Sequence, residues 1–352
     1  MPGAAVPWVA ADGVNHVGRH ISRWDLDKTY LRTEFDTMRD LVRTAFERAD
    51  EKRTNPGAST LLREMSRAGV SIHILSGSPS QMRRRLEDKL RLDGITWDTF
   101  TLKPNLENFL RLRFRAIRDQ LGYKLPALLT MRTSEGEALK GVRETLFGDD
   151  AEADAFVYAL YADVMSGRVG EELVHQICDK GRVYDDVRDE VLRCVRLVEP
   201  EPVVERVLIH LERQTPPDQF EVYGQRVVPF YNYLQAAFVV YEDGRLSAEA
   251  VLRVAVELVL QHRFDGDALA RSYADLARRG HLRGESLDAL SEALDAWEVH
   301  PPVAAGGELR TMLAGLPAAA KIARARWAPL DGDVPDYLSL VGQHNRRRKR
   351  RR

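Results

Sequence analysis

The chain is poor in cysteine, nearly neutral overall, and without a long apolar run, and each scarcity excludes something. It has two cysteines in 352 residues, Cys178 and Cys194. Both fall in amphipathic, helix-patterned sequence, so they read as reduced thiols and not as a disulfide framework. The formal net charge of −1 gives no general field toward nucleic acid or membrane. The most apolar stretch, residues 248–260, is interrupted by Arg253 and Glu257, so no spanning helix is expected. The first residues lack a basic region followed by an apolar one, so no signal peptide is read and the expected location is the cytoplasm. Charge of one sign is concentrated in one place: residues 346–352 are all Arg or Lys.

What is present describes a globular protein, 44% hydrophobic and 30% charged, long enough for two domains. Residues 1–15 are small and Pro/Gly-bearing and read as a flexible start. An extended run at 17–24 leads into Asp25-Leu-Asp27-Lys-Thr29. Helical spacing predicts a helix over 30–49, and Ser59 is placed to cap another through Ala68. Residues 69–75 alternate and are β-branched, which predicts a strand ending in Ser76-Gly77-Ser78-Pro79. A charged helix containing Arg83, Arg84 and Arg85 follows, then a strand over 97–102 and a helix over 106–121 carrying an Arg111/Arg115/Arg118 stripe. Gly122-Tyr123-Lys124 opens a further helical stretch. Residues 144–147 read as a strand running into Gly148-Asp149-Asp150, and an amphipathic helix through Tyr158, Tyr161 and Met165 comes after it.

Strands alternating with helices predict an α/β fold, a doubly wound parallel sheet, over residues 16–170. From 171 to 300 helical patterns dominate, at 183–197, 203–212, 248–262, 267–279 and 286–297, and predict a mainly helical second domain. Residues 301–352 read as a Pro/Ala/Gly-rich tail ending in the arginine run, which is expected to be disordered and solvated, with contact to anionic lipid as the second reading.

Four acidic or polar motifs each sit at a predicted strand end or helix start, where such a sheet gathers ligand-binding groups. They are Asp25-x-Asp27-x-Thr29, Ser76-Gly77-Ser78, Lys124, and Gly148-Asp149-x-x-x-x-Asp154. Phosphoryl transfer explains the set. A carboxylate attacking an anionic ester is repelled unless cations neutralise the phosphate oxygens. Mg²⁺ takes oxygen ligands, typically one or two carboxylates, water and phosphate. Asp25 and Asp149 can supply the carboxylates, and Asp154 or Asp150 can hold a coordinated water. Lys124 can balance the excess negative charge, with Lys140 as the alternative lysine. The Ser76 hydroxyl can bind phosphate oxygens, and Asp27 can give a proton to the leaving alkoxide. His16, His20 and His73 lack metal-ligand spacing.

At these residues the chain resembles the haloacid dehalogenase superfamily of phosphohydrolases, over roughly residues 17–165. The resemblance implies that Asp25 is a nucleophile forming an aspartyl-phosphate and that Asp27 is general acid, then base. It implies Mg²⁺ ligands from Asp25, the Asp27 backbone carbonyl and Asp149. Within the superfamily, the Ser76–Pro79 turn and the Gly-Asp-x-x-x-x-Asp ending look like the phosphatidate phosphatase domain of the actin-patch-protein type. Ser22 and Arg23 make the first strand more polar than a central parallel strand is expected to be. The segment between Ser76 and Lys124 is too short for a large cap, and in this superfamily that implies an open site for macromolecular or membrane-bound substrates.

The expectation is therefore a Mg²⁺-dependent phosphomonoesterase, acting on phosphatidate or another lipid phosphate, with peripheral contact to anionic membrane. A phosphoprotein or nucleic-acid-end phosphatase is the alternative within the same chemistry. A noncatalytic protein that interacts through its helical half is the alternative of another class. Without aromatic interleaving, sequence-specific nucleic-acid binding is not expected.

Overall fold

The computed structural model describes residues 19–32, 53–103, 117–134, 136–298, 304–330 and 332–350. Six strands form one all-parallel sheet: β1 (His20–Trp24), β2 (Ser71–Pro79), β3 (Thr99–Lys103), β4 (Arg143–Asp149), β5 (Val204–His210) and β6 (Val227–Phe230). Their order is β3-β2-β1-β4-β5-β6, a Rossmann-like α/β arrangement. The chain builds outward from β1 in one direction and then crosses back to β4. The switch point, where such sheets open a crevice, therefore lies between the carboxyl ends of β1 and β4.

Both faces are covered, so the strands bury residues in both directions. One face carries Trp24, Phe147 and Leu208 toward α1 (Ala58–Arg67), α8 (Tyr233–Glu242) and α9 (Ala248–His262). The other carries Leu146, Val207 and Ile209 toward α4 (Lys124–Thr133), α5 (Asp154–Met165), α6 (Glu171–Gly181) and α7 (Asp185–Arg196). The remaining helices are α2 (Arg83–Leu92), the short α3 (Ile117–Leu121), α10 (Gly266–Arg278), α11 (Leu287–Glu298), α12 (Gly306–Arg326) and α13 (Tyr337–Arg350).

The polar residues of β1 have a specific reason to be there. Arg23 is buried and donates from Nε and Nη2 to the two oxygens of Glu144 on β4, both at 2.8 Å. The same carboxylate accepts from Arg132 Nη1 at 3.2 Å and from the Tyr161 hydroxyl at 3.0 Å. Burial works against its charge, but Arg23 and Arg132 hold its carboxyl below the usual glutamate range.

Several expectations are corrected. Residues 203–212 are not a helix: they form β5, so the sheet continues past residue 170 and takes two of its six strands from the half expected to be helical. Helix α5 is not amphipathic, because every residue of it is buried between the sheet and outer helices. Ser59 lies inside α1, whose N-cap is Gly57 with φ 84°. The tail is not a disordered end. It carries α12 and α13, and the backbone of the arginine run is helical through Arg350. Tyr337 anchors α13 through its hydroxyl to Asp163. The helix expected over 30–49 and the Arg111/Arg115 part of the basic stripe lie mostly outside the described residues, whereas Arg118 packs over the Tyr184 ring at 4.7 Å. Cys178 and Cys194 are unpaired and buried.

Candidate active site

Two strands deliver the carboxylates. The β1–β4 ladder continues one residue past β1, with the Asp25 amide donating to the Phe147 carbonyl at 3.0 Å, and Asp149 ends β4. Below them the Trp24 ring stacks on Phe147 at 3.8 Å and 7°, which fixes the strand ends against each other. Gly148 is required by close approach. A Cβ there would meet Asp154 Oδ2 at 2.6 Å and the Tyr158 ring at 2.8 Å. Asp154 opens α5 and accepts the Asp149 amide on Oδ2 at 3.2 Å.

Lys124, the first residue of α4, is fully buried among acids. Its ammonium donates to Asp154 Oδ1 at 2.5 Å and to Glu152 at 3.2 Å, and lies 3.5 Å from Asp25 Oδ1. The neighbouring Tyr123 hydroxyl donates to the Ser76 carbonyl at 2.8 Å, tying the start of α4 to the end of β2. Lys140 is elsewhere, 68% exposed and paired with Glu137 at 3.4 Å. Of the two lysines, only Lys124 stands beside Asp25. Asp150 faces away from the cluster: its oxygens accept the amides of Arg213 and Thr215.

One oxygen each from Asp25, Asp149 and Asp154 can be chosen so that all lie within 4.8 Å of one another. Asp149 Oδ1 accepts the amides of Ala151 at 2.6 Å and Glu152 at 3.0 Å. Its Oδ2 and both oxygens of Asp25 are buried and accept no hydrogen bond among the described residues. Buried carboxylate oxygens left this way are costly unless a cation meets them. Burial raises the Asp25 carboxyl well above the usual aspartate range. Asp154, Glu152 and Asp149 push it further, against the pull of Lys124. Asp149 is raised in the same sense, by burial and then by Asp154 and Glu152. Lys124 stays charged because Asp154 and Asp25 outweigh the effect of its burial. Four carboxylates around one ammonium leave excess negative charge. The oxygens of Asp25, Asp149 and Asp154 are close enough together to hold a metal ion.

Asp27 lies across the turn from this cluster and is only half-buried. Its Oδ2 accepts hydrogen bonds from the Ser76 hydroxyl at 3.1 Å and the Ser78 hydroxyl at 2.7 Å. Ser76, expected to bind phosphate oxygens, here holds Asp27, and its oxygen also accepts the Ser78 amide at 3.0 Å. Asp25, Asp27, Ser76, Lys124, Asp149 and Asp154 thus stand together at one edge of the sheet.

Sequence reasoning gave no role to Glu152 or Tyr123 and quoted Ser78 only as part of the Ser76-Gly77-Ser78 motif. It also missed three residues with no local signal, which reach the Asp27 turn from far along the chain. Lys28 has φ 64°, a left-handed conformation that costs a residue with a Cβ on the order of 1 kcal/mol. Its carbonyl accepts from Asn55 Nδ2 at 3.1 Å and pairs with His210 Nδ1 at 3.2 Å. The Thr29 carbonyl accepts from Asn55 Nδ2 at 2.7 Å and from the Tyr233 hydroxyl at 2.5 Å. His210 ends β5. Burial lowers its pKa and leaves the ring neutral, so it must carry its proton on Nδ1 to donate here. Tyr233 is the first residue of α8, set by the Asn232 N-cap.

No protein-family model, no curated protein and no solved structure matches this chain.

Proposed function

We propose that the chain is a Mg²⁺-dependent phosphomonoester hydrolase working through an aspartyl-phosphate on Asp25. The observation that carries the reading is the pair of buried, undonated Asp25 oxygens beside Asp149, Asp154 and Lys124, at the switch point of a parallel sheet. A structural carboxylate at that depth accepts hydrogen bonds; a nucleophile keeps its lone pairs open.

Asp25, Asp149 and Asp154 would hold the divalent ion, which would supply positive charge to offset the substrate phosphate and the carboxylates. In the first half-reaction an Asp25 oxygen forms a bond to phosphorus as the ester P–O bond breaks. Asp27, protonated, gives its proton to the departing alkoxide. In the second, Asp27 takes a proton from water as the water oxygen attacks phosphorus. The Asp25–phosphorus bond breaks, inorganic phosphate leaves, and both aspartates return to their starting states. Lys124 keeps its charge throughout and holds Asp154. The Ser76 and Ser78 hydroxyls, both donating to Asp27, hold the proton donor.

Phosphatidate in mixed vesicles is the first substrate to try, alongside sugar phosphates and phosphopeptides. The test of the reaction class is release of phosphate from p-nitrophenyl phosphate, abolished by chelator, restored by Mg²⁺ and absent in Asp25→Asn. Near wild-type turnover by a folded Asp25→Asn variant would sink the reading.

A further inference from the structure

Within the catalytic edge, the two aspartates are held by different means. Asp25 is fixed by the sheet, through its amide on the Phe147 carbonyl. Asp27 sits beyond the last ladder hydrogen bond, in a turn that passes through the left-handed Lys28. Three donor side chains grip the two carbonyls that follow it, and they come from three separate parts of the chain: Asn55 ahead of α1, His210 at the end of β5 and Tyr233 at the start of α8. Asn55 also closes the turn with its own amide on the Tyr30 carbonyl at 2.9 Å. The Tyr233 ring is stacked 6.1 Å from Trp24, whose other neighbour is Phe147, so the hydroxyl reaches the turn from a rigid support.

Resting on the phosphohydrolase reading above, we propose that Tyr233, His210 and Asn55 are positioning residues that aim the Asp27 carboxyl at the leaving oxygen while Asp25 is aimed independently by the β1–β4 ladder. The second half of the chain then takes part in catalysis by holding the proton donor, not as a separate interaction module. The expected consequence is selective. Losing the grip displaces Asp27 and leaves Asp25 in place. Misplacing a catalytic group by about 1 Å costs on the order of 100-fold in rate. In the first half-reaction the loss appears only where the leaving group needs a proton; activation of water is common to all esters, so kcat/KM, which reports formation of the aspartyl-phosphate alone, is the selective reading.

The experiment compares p-nitrophenyl phosphate, whose leaving group departs without protonation, with glycerol phosphate, whose alkoxide does not. In Tyr233→Phe, which keeps the ring stack and removes one donor, kcat/KM for glycerol phosphate should fall about tenfold or more. The aryl phosphate should lose less than about threefold. Amide exchange at Tyr30 and Leu31, both bonded to the Leu26 carbonyl, should quicken while β1 stays protected. That second readout needs no turnover. If Tyr233→Phe does not fold, His210→Asn and His210→Leu take its place: an amide can donate as Nδ1 does, so Asn should keep the glycerol phosphate rate and Leu should lose it. Equal losses on both substrates, unchanged exchange at Tyr30 and Leu31, or His210→Leu behaving as His210→Asn overturns the inference. Wild-type protein inactive on every ester instead overturns the phosphohydrolase reading, and this inference with it.

Discussion

Strands β1 and β4 carry two buried charge clusters only two residues apart along β1, and they are built oppositely. Around Glu144, two guanidiniums and a phenol meet one carboxylate, which accepts four hydrogen bonds and stays ionised. Around Asp25, one ammonium meets three carboxylates with Asp149 close by, and the Asp25 oxygens accept no hydrogen bond among the described residues. The first arrangement is what a sheet interior needs to tolerate charge, since buried ions must be paired and hydrogen-bonded. The second is unfinished without a cation. Depth alone does not separate structure from site here; satisfaction does.

The largest effect should come from breaking the unfinished cluster. Asp25→Asn preserves size and removes the anionic nucleophile, so turnover should fall at least about 1,000-fold. With chelator present, the same variant should melt higher than wild type, because one of three mutually repelling buried carboxylates is gone. Phosphate release and thermal unfolding read the two signs. A lower melting temperature would mean that the Asp25 charge is compensated in a way the geometry does not reveal.

The opposite result is expected from the satisfied cluster. Glu144→Gln removes the carboxylate charge that Arg23 and Arg132 share, although Arg132 keeps Glu201, and should cost about 3–5 kcal/mol of stability. The pH dependence has a definite sign. Because the folded pKa of Glu144 is lowered, its stabilising contribution is complete above the unfolded glutamate value and is lost as pH falls through the folded one. The gap between wild type and Glu144→Gln in denaturant unfolding should therefore shrink on acidification below about pH 4.3. A gap independent of pH would remove the charge from the explanation.

A third effect is intermediate. Mg²⁺ at about 100 times its Kd should add about 2.7 kcal/mol to wild-type stability. Asp149→Ala should lose most of that increment, and Glu144→Gln should keep it. Absence of any Mg²⁺-induced shift in the wild-type melting temperature would count against the metal assignment without touching the fold.

Which parts of this were legible in the sequence follows from how local each signal is. Strand β2 announces itself by β-branched alternation, and the carboxyl ends of β1, β2 and β4 carry the polar motifs with Asp25, Asp27, Ser76 and Asp149. Strand β5 was concealed by its own burial. Val203, Val204, Val207, Leu208 and Leu211 fall at helical spacing, and a strand covered on both faces shows no alternation to contradict it. Pro200 and Pro202 just upstream give no warning, since proline is accepted at a helix start. Helix α5 misled in the same way: its aromatic stripe looked like one face, but the structure buries the whole cylinder. The grip on the Asp27 turn was beyond reach, because Tyr233 and Thr29 are separated by 204 positions. Only the sheet order brings them together.

The smallest effect sharpens the choice between lysines. Lys140 lies nearer Asp149 in sequence, yet its side chain is 68% exposed and its one ion pair, with Glu137, is on the surface. Exposed pairs of this kind contribute about 0–1 kcal/mol, so Lys140→Ala should change stability by no more than about 0.5 kcal/mol and leave turnover as it was. Lys124→Met is the contrast. It keeps the length of the chain at a fully buried position and removes the ammonium from Asp25, Asp154 and Glu152 together. The remaining acids then lack any compensating side-chain charge within bonding distance among the described residues. Turnover should collapse, and the Mg²⁺ concentration needed to reach the wild-type melting temperature should rise. Measured side by side, the two variants separate proximity in sequence from proximity in space. A Lys140→Ala variant that lost turnover while Lys124→Met kept it would mean that the buried ammonium serves the fold alone.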